Sequence, residues 1–414
     1  MTDQEDRSME DSKAKILSFK EGAAKRGTPS SHGEGTNAKR GGSDTVPKAQ
    51  KHHFDFALFI ALVLICAFGL VMLFSASYYY AQSKTGDGLV YVKKQIVFFA
   101  AGIVALLVLS HIKYTAYQKL ALIAYLVLVA LLVLTLLIGK SPTNGAQRWI
   151  KIGPLEFQPS ELAKFVMVIV AANFMTVRKA RMGSFLHGIL PMLIYMVIPC
   201  FLIYKQPNLS MVVIVAITMF LMLYLGGAKS WQLALLVVVG IAAVYLLSKS
   251  ADYRSDRLEM WSDPWKDPTG KGYQIIQSLY AFGNGGLFGQ GINYSRQKLL
   301  FLPYRESDYI LSIIGEELGF FGCLFLIALY MFVIYRGIRI AMRCRDRFGS
   351  LTAAGITGVL AIQVIVNIAV VTNTLPSTGQ TLPLVSSGGT SMMVFLAAMG
   401  ILLNISRYTE VRSK

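Results

Sequence analysis

From residue 54 onward the chain alternates between long apolar stretches and short polar connectors. Ten of these stretches are long enough to cross about 30 Å of hydrocarbon as helices. They lie near 54–76, 95–112, 115–138, 159–177, 186–204, 209–226, 230–248, 309–335, 351–373 and 389–406. The pattern predicts an all-α polytopic membrane protein of about ten transmembrane helices. One long extracytoplasmic loop, about 249–308, separates helices 7 and 8, and shorter loops on that side cover 77–94, 139–158, 205–208 and 374–388. No internal or inverted repeat is visible, which weakens a repeat-built transporter.

Residues 1–53 break the pattern. They are rich in Gly, Ser, Lys and Thr, with scattered apolar residues, and read as a disordered tail. Residues 1–11 hold five acids and one Arg, whereas 12–51 hold nine Lys/Arg and three acids. No apolar h-region follows a short basic stretch, so this is not a cleavable signal peptide. The expected plan is a basic cytoplasmic tail (1–53), a ten-helix domain (54–408) and a short carboxyl-terminal tail (409–414).

Composition narrows the class. Hydrophobic residues make up 54% of the 414, and charged residues only 15%, against roughly 25% in soluble domains. With a mean hydropathy of +0.52, this excludes a soluble globular domain, a disordered chain, collagen and a small disulfide scaffold. The net charge of +17 is placed unevenly. Arg178, Lys179 and Arg181 follow the fourth stretch, Arg336, Arg339, Arg343, Arg345 and Arg347 the eighth, and Arg407, Arg412 and Lys414 the tenth. All fall on the side of the basic tail, which makes that side, and both termini, cytoplasmic. Such charge faces anionic membrane lipids, so no nucleic-acid partner is expected. Cys66, Cys200, Cys323 and Cys344 form no C-x-x-C pattern and read as packed or reduced thiols. His52-His53 lies at the end of the tail, and the absence of H-E-x-x-H argues against an intramembrane zinc protease.

Ionisable residues within membrane spans are costly, so each calls for a reason. The first cluster runs from Asn144-Gly145-Ala146-Gln147-Arg148-Trp149-Ile150 to Gln158-Pro159-Ser160-Glu161-Leu162-Ala163-Lys164. Pro159 and Ser160 suit a helix start, which puts Glu161 in the first turn and Lys164 on the same face. Two readings stand: an i,i+3 ion pair capping a span with Trp149 as interfacial anchor, or a polar site in which Arg148 and Lys164 hold an anion. The second cluster is Arg305-Glu306-Ser307-Asp308-Tyr309, followed by Glu316-Glu317. Ser307 is expected to cap the eighth span with Asp308 in its first turn, as a cap residue or as a catalytic carboxylate kept ionised by the helix dipole. Glu316 and Glu317, about 12 to 14 Å deeper at 1.5 Å per residue, are expected to pair with buried donors or Arg rather than to react. The third cluster, Pro376 to Thr390, includes Ser386, Ser387 and Gly388 and is a Gly/Ser/Pro-rich turn whose amides could cradle an oxyanion. No histidine lies on that side, so a serine-protease reading fails. The glycine run Gly285–Gly291 reads as a tight turn letting the long loop pack over the cavity.

In this order the clusters resemble the SEDS family of bacterial cell-wall proteins, which includes FtsW, RodA and SpoVE. Matching segments also include Gln206-Pro207, Gly272-Tyr273-Gln274, Gln277-Ser278, Gln297-Lys298, Leu302-Pro303, Gly315–Gly319 and Leu382–Gly389, so the likeness covers about 54–408. Thr381 before Leu382-Pro383 looks more like the FtsW/SpoVE branch. The resemblance implies a multi-pass protein of the bacterial cytoplasmic membrane acting as a peptidoglycan glycosyltransferase on lipid II, with a class B penicillin-binding protein as transpeptidase partner. It places the family's essential acid on Asp308, and cavity positions on Arg148, Glu161 and Lys164. Trp149, Ser386, Ser387 and Gly388 complete the expected substrate and pyrophosphate contacts. Whether a divalent cation, Mg or Mn, joins them is left open, as is the choice between division, elongation and sporulation. The rival reading is a lipid II flippase. The chain departs from the family at Asn208 (usually Asp), at Tyr304-Arg305-Glu306 (usually Glu-Ala-His) and at Ser387 (usually Tyr).

Overall fold

A computed structural model describes residues 54–139, 147–153, 155–248 and 252–409. The expected tail, the Asn144-Gly145-Ala146 part of the first cluster and residues 410–414 lie outside the described residues. Ten helices follow the ten apolar stretches: α1 (Phe56–Thr85), α2 (Val90–His111), α3 (Tyr114–Ile138), α4 (Ser160–Val177), α5 (Leu190–Lys205), α6 (Leu209–Gly226) and α7 (Ser230–Ser248). After the long loop, which holds α8 (Asp252–Ser262) and α9 (Tyr273–Gly285), come α10 (Ile310–Arg343), α11 (Arg347–Val371) and α12 (Gly389–Ser406). Among the described residues, nine of the ten are long and apolar enough to span a membrane, and α7 is the tenth apolar helix. The only described sheet is a hairpin, β1 (Ile150–Ile152) against β2 (Leu155–Phe157).

The helices outrun the apolar stretches that announced them. Helix α1 continues nine residues past Ala76 to Thr85, ending at Gly86 in a left-handed conformation (φ 74°). Helix α10 runs past Tyr335 to Arg343. Hydropathy marks where the solvent changes, whereas the helix ends where its backbone bonding ends. Helices α4 and α12 are the most enclosed of the spans, and α2 and α3 keep broad apolar faces open. Close packing of α12 on α2 requires small residues: a Cβ at Gly400 would sit 2.4 Å from the Leu106 carbonyl oxygen.

Up-and-down connectivity gives the bundle two distinct ends. At the arginine end, Asp55 caps α1 by accepting from the Leu58 amide, and its other oxygen accepts from Arg336 on α10. The Asp55 amide donates to Ser406 Oγ at the end of α12. The loop end gathers the starts of α4, α6, α10 and α12 and the end of α11.

Candidate functional site

At the start of α4, Lys164 Nζ donates to Glu161 Oε2 at 2.8 Å and to Gln363 Oε1 on α11 at 2.6 Å. It also lies 4.4 Å from the Phe395 ring centre, and the side chain is fully buried. Of the two readings of this cluster, the structure gives the ion pair. Lys164 has no open face to offer an anion, because two of its three ammonium protons go to Glu161 and Gln363 and the fully buried group packs otherwise on the Phe165 and Phe395 rings. Glu161 is buried with it.

That pair continues as a buried polar ladder. Gln363 Nε2 donates to the Thr381 carbonyl at 3.1 Å. One turn further along α11, Asn367 Nδ2 donates to the Gln380 carbonyl at 2.8 Å and to the Asp308 carbonyl at 2.9 Å. The α11–α12 loop is thereby fixed to α4, α11 and the backbone of Asp308. Gln363 and Asn367 were missed in the sequence, although their i,i+4 spacing inside an apolar span was a visible sign of a polar stripe.

Asp308 stands two residues before α10 begins at Ile310, not in its first turn. Ser307 does not cap that helix; its hydroxyl donates to the Tyr304 carbonyl at 3.3 Å. The segment is held instead by the α11–α12 loop. Ser386 Oγ donates to the Ser307 carbonyl at 2.6 Å and accepts from the Leu382 amide at 2.8 Å, and the Ser387 amide donates to the Glu306 carbonyl at 2.8 Å. Ser386 therefore acts as a clamp on the backbone rather than as an open substrate contact. Gly379, at φ +64°, walls the carboxylate closely enough that a Cβ there would come 3.3 Å from Asp308 Oδ2. Gly388, partly exposed, leads into α12.

The half-buried Asp308 carboxyl has its pKa raised to about 6. Removal from water is the largest cause; the positive field of Arg257 opposes it, Glu306 adds to it, and Ser307 and Arg148 oppose it further. The helix dipole expected to hold this carboxyl in its ionised form is outweighed. Desolvation dominates because Asp308 lies outside the first turn, under the loop. Glu306 is also pushed upward, chiefly by burial.

Two arginines act on the carboxylate through their charge. Arg148 Nε donates to the Gln206 carbonyl at 3.1 Å, and its Nη2 donates to that of Pro207, so it braces the α5–α6 corner. Arg257, on α8, donates through Nη1 to the Ser377 carbonyl at 3.2 Å. Beside Arg257 and Ser377 lies a cavity of about 220 Å³, also lined by Asp256, Lys271 and Gln274. Arg257 was missed in the sequence, because nothing in a loop of nearly balanced charge separates it from its neighbours. Trp149 is partly buried where the hairpin begins, and Thr390 on α12 ties the hairpin down by donating to the Glu156 carbonyl at 3.0 Å. Asn208, where the family usually has Asp, caps α6 by accepting from the Met211 amide at 3.3 Å.

Glu316 and Glu317 pair with buried donors, as expected. Glu316 accepts from the amides of Arg296 (3.1 Å) and Gln297 (3.2 Å) and from Ser295 Oγ. Glu317 accepts from Lys298 Nζ at 2.8 Å and Ser75 Oγ at 2.7 Å. Just beyond them α10 is broken at Gly319, whose φ of 67° suits glycine. The Gly285–Gly291 run fills the break. Phe320 and Phe321 amides donate to the Gly286 and Leu287 carbonyls, and Gln290 and Gly291 amides to the Glu316 and Glu317 carbonyls. The run thus packs on α10 rather than over the Asp308 site.

Ten apolar helices with a reinforced polar mouth at one end define a polytopic membrane protein whose polar site lies at one membrane surface. The FtsW/RodA/SpoVE cell cycle protein family matches residues 56–411. The chain belongs to that family. It is 38% identical over 357 residues to stage V sporulation protein E of Bacillus subtilis, covering 86% of this chain and 98% of the relative. It is 39% identical over 358 residues to the probable peptidoglycan glycosyltransferase FtsW of Trichlorobacter lovleyi, covering 85% and 93%. Among solved structures it is similar to a chain from a study of polymerization and crosslinking by a peptidoglycan synthase complex. The TM-score is 0.71 at 29% identity, with 86% of this chain and 98% of that chain covered.

Proposed function

We propose that this chain is a peptidoglycan glycosyltransferase that polymerises lipid II at the outer face of the cytoplasmic membrane, the loop end facing outward and both termini inward. The observation that carries the reading is Asp308, a desolvated carboxylate with its pKa raised to about 6, its backbone fixed at the mouth by Asn367 and its charge felt by Arg257 and Arg148. It remains mostly ionised at neutral pH yet is a better base than a free aspartate.

In this mechanism Asp308 takes the proton from the 4-hydroxyl of the acceptor GlcNAc. That oxygen bonds to C1 of the donor MurNAc with inversion, while the bond from C1 to the phosphate oxygen breaks. Undecaprenyl pyrophosphate departs with the electron pair. Arg148 and Arg257 stabilise its growing charge, a role that the enclosed Lys164 cannot fill. Lys164, Glu161, Gln363 and Asn367 position the loop and the Asp308 backbone. Base catalysis supplies about 10²–10⁴-fold, and alignment of two membrane-anchored substrates supplies much of the remainder. The described residues hold no group of three or more His, Cys, Asp or Glu side chains suited to a cation. A protein-built Mg or Mn cage does not fit them.

The partner is a class B penicillin-binding protein that crosslinks the strands. The flippase reading gains nothing from Glu316 and Glu317, which are fully occupied in bracing the long loop. Liposomes carrying this chain and externally accessible lipid II distinguish the activities. Glycan polymer, stimulated by the co-purified transpeptidase, is expected. Leaflet transfer of lipid II without polymer would replace this reading with the flippase.

A further inference from the structure

At the arginine end, far from Asp308, a cavity of about 380 Å³ opens between the start of α1, the end of α10 and the end of α12. That volume lies within the range of small-ligand sites. Arg336, Arg339 and Arg343 line it, spaced i, i+3 and i+7 and so on one face of α10, together with Ser406 and Thr409. One acid, Asp55, shares the cavity, and it is already held by Arg336 and by the Leu58 amide. Among the described residues, Arg339 and Arg343 have no hydrogen bond or ion pair, although both are partly buried. The cavity therefore keeps two uncompensated guanidinium groups, a donor set suited to a phosphodiester; the Ser406 and Thr409 hydroxyls already donate to the Leu403 and Ser406 carbonyls.

The rim determines the form in which that anion arrives. Phe54, Phe56 and Ala57 form the α1 wall, and Phe56 is 61% exposed. On α10 the adjoining stripe of Tyr335, Ile338 and Met342 is also exposed, Met342 at 74%. Open apolar faces on both sides match acyl chains, whereas a soluble anion would gain nothing from them. We infer that this cavity binds the headgroup of an anionic phospholipid, with its phosphodiester on Arg339 and Arg343 and its chains along α1 and α10. Placing that lipid in the inner leaflet rests on the orientation proposed above; the binding itself does not.

The test is native mass spectrometry of the full chain with added phosphatidylglycerol or phosphatidylcholine. Wild type is expected to prefer phosphatidylglycerol. Arg339→Gln/Arg343→Gln is expected to lose on the order of tenfold or more of that preference, as two arginine contacts imply. Arg178→Gln/Arg181→Gln removes the same charge from the same end outside the cavity and is expected to keep it. Equal binding of the two lipids by wild type, or equal loss in both double variants, would overturn the proposal. Displacement by glycerol phosphate at the same concentration would also overturn it, in favour of a soluble anion. So would uptake only after Asp3, Glu5, Asp6, Glu10 and Asp11 are neutralised, which would assign the cavity to the chain's own amino-terminal segment. Lipid II polymerisation is a separate readout, so failure of the enzymatic reading leaves this one standing.

Discussion

Asp308 works through its surroundings. A carboxylate partly removed from water beside two arginines is pulled both ways, and desolvation wins, raising its pKa to about 6. In the proposed mechanism Asp308 must be ionised to accept the proton, so polymerisation should fall as pH drops through about 6, which a pH profile of the initial rate checks. The stability sign is opposite. A raised folded-state pKa means that the folded chain binds the extra proton, so this group's contribution is fully present below about 4 and is lost as pH rises through about 6. Gly379→Ala places a methyl 3.3 Å from Asp308 Oδ2 at a φ of +64°. It should cost about 1 kcal/mol or more in stability and lower kcat, measured by melting and by turnover. The residue types and order around Asp308 were legible in the sequence. Its surroundings were not, because they are set by Arg257 and Gly379, 51 and 71 residues away in the chain.

Among the elements, the α11–α12 loop owes its shape to α4 and α11. Lys164→Met should leave Glu161 buried without its cation, costing about 3–5 kcal/mol. Adding Glu161→Gln should recover part of that loss, with Tm in one detergent as the measurement. If Lys164→Met alone kept wild-type Tm, the pair would not be structural. The break in α10 at Gly319 shows how a loop can lie at helix depth: the Glu316 and Glu317 carbonyls and the Phe320 and Phe321 amides beside the break are taken up by Gly286–Gly291. The sequence displayed the glycines and both glutamates of this joint but not their pairing, which spans about 30 residues and has no periodic signature.

For the whole molecule, the ten-helix plan and its two unlike ends were legible because membrane hydropathy and arginine placement are long-range, redundant signals. Helix ends and the depth of each polar group depended on packing and emerged only in three dimensions. The proposed orientation has a direct consequence: single cysteines replacing Thr269 in the long loop and Arg345 in the arginine-end turn should label from opposite sides of an intact cell, Thr269→Cys from outside. Labelling of Arg345→Cys from outside would invert the bundle. Lipid II polymerisation with purified wild type and Asp308→Asn, each with the transpeptidase partner, shows whether Asp308 is the base. The variant should remain monodisperse, melt no lower than wild type above pH 6, and lose at least the 10²–10⁴-fold that base catalysis supplies. Glycan strands made by Asp308→Asn at the wild-type rate would contradict the account.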